Sequence, residues 1–100
     1  MKHPISPTDT VVAVRDQVSC TLQDEAVVLH LGKGVYFGLN PVGATVWNAL
    51  QEPKTVEQLV RIVTSEYQVQ AGECERDVLE LLARLQEAGL VEVVAGKAGL

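Results

Sequence analysis

The run Val35-Tyr36-Phe37-Gly38-Leu39-Asn40-Pro41-Val42-Gly43-Ala44-Thr45-Val46-Trp47 constrains the fold more than any other part of the chain. Up to Leu39 its residues alternate as in a strand. After Asn40 the period becomes helical, with Val42, Val46 and Leu50 at i, i+4 and i+8 and Trp47 and Ala49 beside them. The change falls on an Asn-Pro pair. Asn is a strong N-cap because its side-chain oxygen accepts an N–H that the first helical turn leaves unpaired. Pro suits the next position, where its missing N–H costs nothing and its φ is already helical. The strand therefore ends at a fixed place and the helix leaves it at a fixed angle. Gly43 and Ala44 are small and allow that helix to approach a sheet closely.

Upstream, Val18–Leu22 and Ala26–Leu31 read as strands separated by the polar Gln23-Asp24-Glu25. Gly32-Lys33-Gly34 makes the next turn, and Val35–Leu39 is the third strand. Connections this short cannot be parallel crossovers, so the economical arrangement is an antiparallel meander. Val11, Val12 and Val14 favour a short extended segment over Thr10–Arg15. Within the third strand, Val35, Phe37 and Leu39 share one face, expected to be core, and Tyr36 and Gly38 the other.

Downstream, Glu52-Pro53 marks the end of the first helix. Thr55 and Gln58 match a capping box, and Val56, Leu59, Val60, Ile62 and Val63 supply the stripe of a second helix ending near Tyr67. Gly72-Glu73 opens a third helix, whose early Glu73, Glu75 and Asp77 suit the positive end of the macrodipole. Its apolar residues Val78, Leu79, Leu81, Leu82 and Leu85 make a broad stripe, and Gly89 follows as a C′ residue. Either this helix packs on both its neighbours, or part of the stripe lines a groove beside the third strand. Leu90–Val94 reads as a short final strand. The fold class is α+β and winged-helix-like: a three-stranded antiparallel N-terminal sheet, then three helices. Residues 1–9 are expected as a flexible arm, 10–94 as the folded domain and 95–100 as a flexible tail.

Chemistry finds no foothold. Cys20 falls in a strand and Cys74 at an acidic helix start, where carboxylates raise a thiol pKa rather than lower it. No CxxC spacing or convergent His and Cys set marks a metal site. Gly32-Lys33-Gly34 lies between strands and lacks phosphate-loop spacing. No catalytic residue, cofactor or metal is assigned. The formal charge of −5 and the scattered basic residues disfavour nucleic acid. For a winged-helix DNA-binding reading, the third helix would oppose Glu73, Glu75, Asp77, Glu80 and Glu87 to only Arg76 and Arg84. No apolar run is long enough to span a bilayer, and Met1-Lys2-His3-Pro4 lacks an apolar signal region. A cytoplasmic protein with free thiols is expected. A strand locked to a helix, without catalytic groups, points to a surface that docks another polypeptide.

The residues that carry this reading also carry a family pattern. Tyr36-x-Gly38-Leu39-Asn40-x-x-Gly43-Ala44-x-x-Trp47, then Thr55-Val56-Glu57-Gln58-Leu59-Val60, then Asp77 and Leu85-x-x-x-Gly89-Leu90-Val91, resembles the PqqD-like proteins. Val27-Val28-Leu29-His30 fits as well, and the likeness covers roughly residues 10–94. Such proteins are RiPP recognition elements, and a free-standing chain of this kind looks most like the recognition subunit of lasso-peptide biosynthesis. The resemblance implies a non-catalytic module that binds the leader of a ribosomally made precursor as an added strand. It would present the precursor to a separate cysteine-protease-type leader peptidase and to a macrolactam cyclase. The alternative within the family is delivery to a radical-SAM enzyme, and outside it a generic interaction adaptor. Carried onto this sequence, the docking edge is Val35, Tyr36, Phe37, Gly38 and Leu39. The facing wall draws on Asp77, Val78, Leu81, Arg84 and Leu85.

Overall fold

The computed structural model describes residues 4–23 and 25–94. Four strands come first: β1 (Thr10–Ala13), β2 (Gln17–Leu22), β3 (Glu25–His30) and β4 (Tyr36–Leu39). Then follow α1 (Pro41–Ala49), β5 (Lys54–Thr55), α2 (Val56–Glu66), α3 (Ala71–Glu87) and β6 (Val91–Val93). The expected meander forms as β2-β3-β4, antiparallel with β3 in the middle. Its two turns explain why. Gln23 takes a positive φ of 58° between β2 and β3, the sense that matches the natural twist of a hairpin. Gly34, at φ 71°, donates its N–H to the His30 carbonyl, and the His30 N–H donates to the Val35 carbonyl, both at 2.8 Å.

A second sheet of order β5-β1-β6 was not anticipated as a sheet. Thr10–Arg15 and Leu90–Val94 read as extended, but nothing local announces that they pair with each other. Val11 lies opposite Val93 and Ala13 opposite Val91, while Thr10 faces Thr55. Val11 and Val91 are buried in the core by this pairing. Within the segment expected as an arm, Ile5 packs against the core, and Ser6 and Asp9 close a turn through the Asp9 N–H and the Ser6 carbonyl. Residues 1–3 and the tail 95–100 lie outside the described residues.

The helices begin where their caps place them. Asn40 Oδ1 accepts the Gly43 N–H at 2.8 Å with Pro41 at the first helical position. Thr55 and Gln58 exchange side-chain and backbone hydrogen bonds at 3.1 and 2.9 Å, a complete capping box. α1 stops at Ala49, short of Glu52-Pro53. The Leu50 carbonyl accepts from Ala13 in β1, and the N–H groups of Gln51 and Glu52 make only long bonds of 3.4 Å to Asn48 and Ala49. The Tyr67 hydroxyl donates to the Pro41 carbonyl at 3.3 Å, tying the end of α2 to the start of α1.

The core gathers Val11 and Val28 from the sheets, Val46, Trp47 and Leu50 around α1, Leu59 from α2, and Leu82 and Leu85 from α3, all essentially inaccessible to solvent. The Trp47 indole N–H has no partner among the described residues. That omission costs about 1–3 kcal/mol, which the burial of so large a ring must outweigh.

α3 ends in a Schellman motif. Leu90 N–H donates to the Leu85 carbonyl at 2.9 Å, Gly89 N–H to Gln86 at 3.0 Å, and Gly89 takes φ 77°. A Cβ on Gly89 would stand 2.6 Å from Lys33 Nζ, so the β3–β4 loop sets an ammonium over the negative end of α3. Gly89→Ala should destabilise the domain by about 1–2 kcal/mol. The flexible lysine tip can move aside, so the left-handed backbone dominates the cost. Each kcal/mol should lower the melting temperature by roughly 4–8 °C in a domain of this size. Thermal unfolding followed by circular dichroism checks it; an unchanged midpoint would contradict this account of the helix end.

Candidate functional site

β4 has β3 on one side and, among the described residues, no strand on the other. The hydrogen bond from His30 to the Val35 carbonyl sets the alternation of this ladder. With Phe37 opposite Val28 and Leu39 opposite Ala26, the backbone groups of Val35, Phe37 and Leu39 face β3. Those of Tyr36 and Gly38 therefore project from the open edge. Opposite that edge stands α3, and between them runs a groove of about 340 Å³.

Each wall of the groove follows from local sequence. Phe37, Gly38, Leu39 and Asn40 form the strand side, and Val42, Gly43 and Val46 the α1 side. A Cβ on Gly43 would lie 3.1 Å from Leu39 Cδ2 and 3.3 Å from Asn40 Oδ1, so only glycine lets α1 start this close to β4 without displacing them. Val63 of α2 and Val69 of the α2–α3 connection contribute to the floor. Cys74, Val78 and Leu81 face the groove from α3, with Asp77, Glu80 and Arg84 on its rim. Val46, Val63, Val78 and Cys74 are buried, Phe37, Val42 and Leu81 half-buried, and the three charged residues exposed. The groove is apolar at its base and charged at its mouth.

The charged rim is weakly held. Arg84 reaches Glu80 at 3.8 Å across one helical turn with both side chains largely in solvent, a pairing worth about 0.3–0.5 kcal/mol. Two acids oppose one base, so the rim is slightly negative.

Seven of the ten residues expected at the site meet here: Phe37, Gly38, Leu39, Asp77, Val78, Leu81 and Arg84. Tyr36 supplies backbone to the open edge, but its side chain is 75% exposed and points away from the groove. Val35 precedes β4 and its carbonyl is used by His30. Leu85 is a correction: it continues the line of Cys74, Val78 and Leu82 beyond the groove and is fully buried in the core. The sequence reading missed Asn40, Val42, Gly43, Val46, Val63, Val69, Cys74 and Glu80. Val69, a lone apolar residue between Gln68 and Gln70, is 44% exposed, and since single exposed apolar residues are common nothing in the sequence marked it.

Catalytic chemistry is poorly served. Burial pushes the Cys74 thiol up from its ordinary value, with the Asp77 carboxylate adding to the shift, the opposite of what activates a nucleophile. Cys20 is exposed and free. Among the described residues, no three His, Cys, Asp or Glu side chains cluster as metal ligands, and no helix is long and apolar enough to cross a membrane.

An α+β domain with three helices and an open strand edge against its last long helix defines a small recognition fold. The chain belongs to the PqqD family: the profile described as coenzyme PQQ synthesis protein D matches residues 25–91. Among solved structures it is similar to TbiB1 in complex with the TbiA(beta) leader peptide, at 38% identity over 85% of this chain and 99% of that one, with a TM-score of 0.76. Two others share the fold. Lasso peptide synthetase B1, complexed with its leader peptide, is 24% identical over 82% of this chain and 96% of its own, with a TM-score of 0.71. The PqqD truncation of Methylobacterium extorquens PqqCD, described as a stand-alone RiPP recognition element, is 22% identical over 88% and 94%, with a TM-score of 0.74. No curated protein matches the chain.

The raised Cys74 pKa has a consequence for stability. The folded chain holds this proton more tightly than the unfolded chain, so the contribution is intact below the ordinary thiol pKa and is lost as pH rises through and above it. Urea unfolding from neutral to alkaline pH should show a fall in stability that is shallower in Cys74→Ala. Identical slopes would show that the buried thiol contributes nothing.

Proposed function

We propose that this protein binds the leader segment of a ribosomally made precursor peptide as an extra strand along β4, and supplies no catalytic group. One observation carries the reading: the N–H and C=O groups of Tyr36 and Gly38, unpaired among the described residues, open onto a groove with an apolar base, walled by α3. Strand addition uses such an edge for affinity and flanking pockets for specificity. The likeness to TbiB1, solved with a leader peptide, supports the same ligand class here.

The magnitudes fit a ligand captured and then released. Backbone hydrogen bonds to Tyr36 and Gly38, at ~0.5–1.5 kcal/mol net each, give a few kcal/mol. Two or three apolar anchors against Phe37, Val42 and Leu81 add ~1.5–3 kcal/mol each. Ordering a disordered leader costs ~2–5 kcal/mol, beyond the loss of translational freedom. These gains and costs are of comparable size, so the net affinity is moderate and a captured leader can be released.

The partners that follow are a separate cysteine-protease-type leader peptidase and a macrolactam cyclase of a lasso-peptide pathway. By holding the leader, the module raises the effective concentration of the cleavage site at the peptidase. Its acidic surface, with Arg61 engaged by Glu57 at 3.2 Å and Arg84 by Glu80, offers little to phosphate.

Calorimetric titration with the leader of the neighbouring precursor, against a scrambled control, tests the reading. Gly38→Pro removes an N–H on the open edge and leaves the β3 ladder intact, so it should abolish most leader affinity in a protein that still folds. Leu81→Ala, trimming the α3 wall, should weaken binding by roughly tenfold or more. Unchanged affinity in a folded Gly38→Pro variant would rule out strand addition at β4.

A further inference from the structure

The β2-β3-β4 sheet has two edges, and the second has no part in leader binding. β3 uses Ala26, Val28 and His30 to bond β4, so its alternate residues Glu25, Val27 and Leu29 bond β2. These lie opposite Leu22, Cys20 and Val18. The backbone groups of Ser19 and Thr21 therefore project from the outer edge of β2, where no strand pairs with them among the described residues. Sheet edges are normally protected by charge, proline, a bulge or a covering element. β2 has six residues, none charged and none proline, pairs with β3 in unbroken register, and is solvent-exposed from Val18 to Leu22.

Its sequence is also symmetric in chemistry about Cys20. Val18 matches Leu22 and Ser19 matches Thr21, with Gln17 and Gln23 at the flanks. A two-fold axis requires this kind of self-complementarity, because residue i meets j and j meets i. We propose that β2 is a homodimerisation edge, on which a second copy of this chain pairs antiparallel with Cys20 on the axis. In this register Val18 faces the partner's Leu22, and the N–H and C=O groups of Ser19 meet those of the partner's Thr21. A shift by one residue would pair opposite faces of the sheet and is excluded by the alternation of side chains. A shift by two centres the pair on Ser19 and leaves Leu22 without an apolar counterpart. No residue of β2 itself is charged, but Asp16 and Asp24 flank the Gln17–Gln23 segment, so the pairing must outweigh like charges at its two ends.

β4 is the poorer edge for a second copy. Tyr36-Phe37-Gly38-Leu39 is not self-complementary, and α3 stands opposite it. In the β2-paired dimer the two β4 edges lie at the far ends of one continuous six-stranded sheet, so each copy keeps its groove. Cys20 would sit in a non-hydrogen-bonded pair with its symmetry mate at a Cα separation of ~4.5 Å, within reach of a disulfide.

Sedimentation over a concentration series, together with diamide crosslinking, tests the proposal. Diamide accepts two electrons and two protons as two Cys20 thiols join in one S–S bond, and is itself reduced to the hydrazine. The expected results are a concentration-dependent dimer and a crosslinked species lost in Cys20→Ser but kept in Cys74→Ala. Cys20→Lys sets like charges across the axis and should weaken dimerisation by roughly tenfold or more; Leu22→Lys, farther out, should weaken it less. Both should bind the leader peptide as the unchanged protein does. A monomer at every concentration with no Cys20 crosslink overturns the proposal. So does a dimer that survives Cys20→Lys, or one that Gly38→Pro abolishes.

Discussion

The distance between β4 and α3 is the dimension on which the rest of this molecule depends. Two features distant from each other in sequence flank it, a fixed cap and a flexible lysine. At one end the Asn40 cap and Pro41 turn the chain directly from β4 into α1, and Gly43 lets that helix seat against Leu39. At the other end Lys33, on the loop that precedes β4, reaches the C-terminus of α3 over Gly89. The strand is thus tied directly to α1, while the exposed Lys33 tip lies over the end of α3. Any residue larger than glycine at position 43 would press on Leu39 and the cap oxygen, moving one wall of the groove. Of the motif glycines, Gly43 is the one set by the approach of helix to strand, since a Cβ on Gly38 would meet nothing within 4 Å.

How much of this was legible in sequence depended on how local the cause was. The meander, the capped helix starts and the Schellman end were readable because turn residues, caps and periodicity act within a few positions. The small β5-β1-β6 sheet was not, because Val11 and Val93 meet across nearly the whole chain. Closing such a loop adds only slowly growing entropy, so nothing near either strand need signal it. The groove was half legible for a related reason. Period-two and period-3.6 patterns say which residues share a face, but not where a core ends and an open cleft begins. Val46 and Val63 read as core and are core, yet they are also the floor of the groove. Leu85 read as wall and is interior, because the line it shares with Cys74 and Val78 leaves the groove and enters the core after Val78.

The composition of the groove explains why recognition without chemistry suits it. Its buried surface is aliphatic apart from one thiol whose proton is held more firmly by burial. Its charges are exposed at the mouth, and Arg84 pairs with Glu80 within α3. Surface charges of this kind contribute little to affinity but influence encounter and selectivity. Affinity must then come from the strand edge and the aliphatic base.

The two edges of the main sheet show how one structural liability serves two purposes. An unprotected edge invites pairing with any extended chain. β4 limits that invitation by geometry: α3 stands opposite it, and the groove between them has an apolar base. β2 has no such wall and nothing on its six residues to repel a neighbour. Its selectivity can only come from the sequence of the edge itself, and the matching of Val18 with Leu22 and Ser19 with Thr21 makes another β2 the partner that fits it best. Strand order keeps the two kinds of pairing apart, because β3 separates them by a full strand on each side. A leader bound at β4 and a second copy bound at β2 would extend the same sheet in opposite directions without meeting.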